Sequence, residues 1–131
     1  PEERRVQEAD LAKDHADEAA LRAQKLHDKS LTDTYSSINE IDLSRNRNIQ
    51  QIDSRINSVN SQLKSATTAL SDLQKAAAST GGKKSSLEEI KAAQERVTRL
   101  QQHQDKFKAE KLAVEARYDA DKARYKELTG K

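Results

Sequence analysis

Three histidines are the first residues that could do chemistry, and they lie far apart, at His15, His27 and His103. A zinc site draws several such ligands together, often two histidines one helical turn apart. No pair here has that spacing, so all three read as solvated surface side chains. Asp119 and Asp121 are two residues apart, which on a helix turns them to different faces. They cannot work as a matched acid pair. Gly81-Gly82-Lys83-Lys84-Ser85-Ser86 has the glycines and lysines of a phosphate loop. A phosphate loop follows a strand, and none precedes this segment, so a tight turn between helices is the better reading. There are no cysteines, hence no disulfide, thiolate ligand or cysteine nucleophile. The expectation is a protein without enzymatic activity, cofactor or metal.

Basic residues interleaved with aromatics would suit nucleic acid. Lys108, Lys111, Arg117, Lys122, Arg124 and Lys126 lie near Phe107, Tyr118 and Tyr125. Glu110, Glu115, Asp119 and Glu127 dilute that field, so nucleic acid is the second choice of partner. Net charge is only +2 in 131 residues. Residues 83–131 hold thirteen Lys/Arg against nine Asp/Glu, while residues 1–29 hold six against eight.

The elements that carry these residues follow from composition. Charged residues make up 35% and aromatics 3%, too few bulky groups for a compact core of this length. A long helix needs only a narrow apolar seam. Residues 37–79 repeat every seven: Ile49, Ile56, Leu63, Leu70 and Ala77 in one row, Ile52, Val59, Ala66 and Leu73 in the other. Extended backwards, the phase passes Arg45 and Asp42 to Ile38 and Tyr35. Residues 86–129 repeat likewise, with Ile90, Val97, Gln104, Lys111, Tyr118 and Tyr125 beside Ala93, Leu100, Phe107, Val114, Asp121 and Leu128. Folded about Gly81-Gly82, Leu73 meets Ile90, Leu63 meets Leu100, Ile56 meets Phe107 and Ile49 meets Val114. The residue numbers of every facing pair share one sum, so a single antiparallel register serves the whole length.

The expected fold is all-α: a long antiparallel coiled-coil hairpin (residues 30–131, turn 80–85) preceded by a charged N-terminal helix or linker over 1–29. The first helix covers about residues 3–29. Capping boxes, in which a serine hydroxyl and a glutamate three residues on satisfy the first N–H groups, open the other two at Ser37/Glu40 and Ser86/Glu89, with Ser85/Glu88 as the alternative frame. No segment approaches the roughly 20 apolar residues of a membrane span. The chain opens on Pro1, as expected of a processed product or a piece of a longer chain.

The seam breaks its own rule at one level, where Arg45 faces Tyr118 and Asp42 faces Asp121. The residues suggest a polar register layer, with Arg45 bridging both carboxylates and Arg124 assisting Asp121; a solvated gap is the plainer alternative. Asn57, Ser58, Asn60, Ser61 and Gln62 form a polar, nearly uncharged flank. That flank suggests a homodimer in which hairpins pack into a four-helix arrangement.

Thr34-Tyr35-Ser36-Ser37-Ile38-Asn39-Glu40-Ile41-Asp42 with Arg45-Asn46-Arg47-Asn48-Ile49, and Tyr118-Asp119-Ala120-Asp121-Lys122-Ala123-Arg124-Tyr125-Lys126-Glu127-Leu128, resemble the helical C-terminal region of exported proteobacterial proteins of unknown function. The resemblance covers residues 30–131. It implies a periplasmic or cell-envelope location, a small β-rich domain N-terminal to the helices, and no catalytic residue. Residues and resemblance together lead to a structural or protein-interaction module, a spacer or docking rod whose partner is a protein, with a nucleic-acid-binding arm as the alternative.

Overall fold

A computed structural model describes residues 2–130; Pro1 lies outside them. It contains three helices, α1 (Glu2–Thr34), α2 (Ile38–Thr80) and α3 (Lys84–Thr129), and no strand among the described residues. The all-α expectation holds, and α2 and α3 pair antiparallel.

Each helix boundary has a local cause. The α1 helix runs five residues past the expected end at 29, because Leu31 is buried and the chain stays helical to bury it. The break at residues 35–37 is stabilised from the α2 side. Glu40 donates its N–H to Ser37 Oγ at 3.3 Å, and its carboxylate accepts from Ser36 N at 2.9 Å and Ser36 Oγ at 2.6 Å. The expected capping box is present, with the glutamate reaching one residue further back than the cap residue. These bonds, the Ser36 hydroxyl first, hold the Glu40 carboxyl below its ordinary pKa.

At the other end of α2, Gly81 and Gly82 adopt φ of +80° and +72°. Gly82 N donates to Ala77 O at 3.0 Å, the six-to-one bond of a Schellman cap. Gly130 (φ +69°) closes α3 with a bond to Lys126 O at 2.9 Å. The second capping box is not formed as expected. Helix α3 begins at Lys84, and Leu87 N already donates to Lys83 O at 3.0 Å. Ser85 and Ser86 therefore lie in the first turn, not at its cap, because the two glycines complete the reversal within three residues.

A Cβ at Gly82 would meet nothing within 4 Å, so alanine there pays only for the left-handed backbone. Gly82→Ala should cost roughly 1–2 kcal/mol in urea unfolding. An unchanged midpoint would mean that the turn is not held in this conformation.

The chain divides into two compact units. Unit 1 takes α1, the start of α2 to Leu43 and α3 from Tyr118; unit 2 is Ser44–Arg117. In unit 2 the expected heptad rows of α2, Ile49 to Ala77 and Ile52 to Leu73, are all sheltered, with Ile52, Val59, Ala66 and Ala77 buried. The α3 rows are sheltered from Ile90 to Val114, with Leu100 buried. Two polar members of that seam find partners on α2: Gln104 Nε2 donates to Asn60 Oδ1 at 2.6 Å, and Lys111 Nζ lies 2.8 Å from Asp53 Oδ1. The Asp53 hydrogen bond raises the Lys111 pKa. As one residue number rises the other falls, as antiparallel neighbours require.

This register predicts that cysteines at Leu63 and Leu100 will form a disulfide within one chain under mild oxidation, since facing core positions fall near disulfide geometry. Cysteines at Leu63 and Phe107, about two turns out of step, should remain reduced. The reverse pattern would overturn the alignment.

In unit 1 the buried side chains are Leu31, Ile41, Tyr118 and Tyr125. Tyr35 is half-buried and Leu128, expected in the seam, is 39% exposed. Ile41 is fully buried although it stands off the two-helix seam, where the heptad phase places Ile38 and Asp42. Two helices bury one stripe each; here the end of α1 adds a third wall, and the buried sector of α2 widens to include Ile41.

Candidate interaction surface

The polar residues of unit 1 converge where the last turns of α1 meet the last turns of α3. Arg124 reaches Asp28 through two parallel bonds, Nε to Oδ1 at 2.8 Å and Nη2 to Oδ2 at 2.7 Å. This fork-on-fork geometry is the strongest form of side-chain ion pair. The Asp28 side chain is only 16% exposed. Gln24 Nε2 donates to Asp28 Oδ1 at 2.9 Å, and Arg124 Nη1 holds Glu127 at 2.9 Å. The Arg124 bonds, against partial burial and with help from Gln24, pull the Asp28 carboxyl down to about 2. The same bonds push the Arg124 guanidinium above its ordinary value. One turn away, His27 Nε2 lies 2.8 Å from Asp121 Oδ1.

The expected register layer is rearranged. Asp42 takes Lys122, at 3.1 Å, and Asp121 takes His27. Arg124 takes Asp28 and Glu127, not Asp121 as expected. Arg45 pairs with Glu115 of its own unit at 3.8 Å. Tyr118 is buried, as its seam position requires. Within unit 1 the two carboxylates of that layer are thus tied to Lys122 and to a histidine that α1 brings. His27 and Asp28 were illegible as partners: they are single polar residues on a helix without a clean apolar stripe, and their partners lie more than ninety positions later in the chain.

Residues 2–27 are exposed, including Val6, Leu11, Leu21 and Leu26. Unit 2 offers a shallow groove lined by Ser65, Ala66, Ala69, Ala92, Ala93 and Arg96. Among the described residues no group of three or more His, Asp or Glu side chains could hold a metal ion, and no helix is long and apolar enough to cross a membrane. The chain matches no protein-family model, and no curated protein or solved structure matches it.

Proposed function

We propose that this chain is a non-enzymatic interaction module: an antiparallel coiled-coil hairpin that acts as a spacer or docking rod and presents α1 to a protein partner. The observation that carries the reading is the exposure of α1 from residue 2 to residue 27. A helix of that length is not stabilised by packing along its own chain, and exposed apolar residues on a helix suit docking in a partner's groove. The heptad rows of α2 and α3 support the coiled coil. The cell-envelope location rests on the resemblance of residues 30–131 to the helical region of exported proteobacterial proteins.

A photo-reactive residue at Leu11 or Leu26 in cells should give discrete protein adducts, and one at the exposed Leu112 of α3 should give none. Equal labelling from all three positions would overturn the reading. The second reading, a nucleic-acid-binding arm, draws on the exposed basic residues of α3. It requires RNA or DNA to be retarded at physiological ionic strength, with affinity falling steeply as salt rises.

A further inference from the structure

One exposed face of α1 and one exposed face of unit 2 carry complementary patterns. On α1, Asp10, Asp14, Asp17 and Leu21 follow at intervals of four, three and four residues, so they form one stripe. All four are exposed, and the three aspartates make no side-chain ion pair or hydrogen bond among the described residues. On α3, Ala92, Arg96, Arg99 and His103 follow at the same intervals, with Lys106 next in line. These too are exposed, and the basic side chains are likewise unpaired among the described residues. Beside them lies the alanine groove of Ala66, Ala69, Ala92 and Ala93.

We propose that α1 of a second copy of this chain seats antiparallel on that face of α3. Asp17 then meets Arg96, Asp14 meets Arg99, Asp10 meets His103, and Leu21 drops against Ala92 at the mouth of the alanine groove. Small groove residues let the helices approach closely, and Leu21 becomes the apolar anchor inside a charged rim. The parallel alternative is worse: it sets Asp10 against Ala92 and Leu21 against His103, and leaves two charge pairs.

The occupant is a second copy because one chain carries both halves of the complementary pattern and exposes both of them. Reciprocal docking of the two α1 helices gives a closed two-fold dimer. Glu95 and Asp105 flank the basic stripe and the groove is lined by alanine, features that suit an acidic helix better than a phosphate backbone.

This names a partner for the interaction module proposed above and rests on that reading; the test separates the two. At about 100 μM, where a micromolar contact is largely formed, and in low salt, light scattering should give twice the chain mass of 14.7 kDa. Reversing the basic side (Arg96→Glu with Arg99→Glu) should leave a helical monomer, which at this concentration means self-affinity weakened about a thousandfold or more. Reversing the acidic side (Asp14→Arg with Asp17→Arg) should do the same. Mixing the two variants should restore the dimer, because each acidic face again meets a basic one. A monomeric native chain, or a dimer indifferent to both reversals, would overturn the self-docking and leave the module reading to the photo-labelling. Retardation of RNA by a monomeric chain, lost on the Arg96/Arg99 reversal, would overturn it in favour of a polyanion.

Discussion

Replacing Ile41 by alanine should destabilise the protein by about 2–5 kcal/mol, the range for truncating a fully buried aliphatic side chain. Ile41 has no exposed surface, so the substitution removes its apolar contacts and leaves a cavity in the core of unit 1. Leu43, two residues on and 52% exposed, is the control; Leu43→Ala should change stability by no more than about 0.5 kcal/mol. The comparison is made in urea, reading helical content. Equal effects at the two positions would mean that α1 does not close over Ile41 in solution, and that the end of the hairpin is a plain two-helix pair.

Acid should release α1 from α3. The carboxyl of Asp28 is held at about 2 against an ordinary 3.8. A group depressed in the folded state contributes stability that is fully present above its unfolded value and is lost as pH falls through its folded one. The Arg124 clasp should therefore be intact above pH 3.8 and weaken progressively as pH falls through about 2. Fluorophores on cysteines at Leu26 and Lys126, both exposed and in the same unit, would report the separation. Asp28→Asn should give a looser end already at neutral pH and flatten this part of the acid response, because the amide keeps the size but loses the charge and one acceptor oxygen. An acid transition that persists unchanged in Asp28→Asn would place the cause elsewhere.

The α2–α3 pairing was legible because a heptad repeat states its own geometry. Ile49 to Ala77 and Ile90 to Val114 specify which face is inside, and the glycines specify where the chain turns. Side-chain volume did the rest, since only one register sets every apolar position against another. What the repeat could not show is anything that depends on a third helix. Ile41 lies outside a two-helix seam, yet it is buried in the unit that also holds the buried Leu31 of α1. Asp121 and Asp42 looked like facing carboxylates in need of an arginine; they are answered by His27 and Lys122. Ser86 and Glu89 had the spacing of a cap, but spacing says nothing about how tightly two glycines can fold the turn before it. The exposed stretch of α1 was legible as a helix and as a poor packer, through its alanines and scattered leucines, though not as a clasp at its far end.

The three tyrosines, Tyr35, Tyr118 and Tyr125, all belong to unit 1, and the chain has no tryptophan. Near-ultraviolet signals from tyrosine therefore sense one unit alone, whereas far-ultraviolet circular dichroism sums over every helical residue. The native protein thus carries a spectroscopic label at one end without any modification. Coincident melting curves at the two wavelengths mean that the units unfold as one cooperative body. An earlier tyrosine transition means that the clasped end opens first, while the hairpin of Ser44–Arg117 remains folded and shows only in the far-ultraviolet signal.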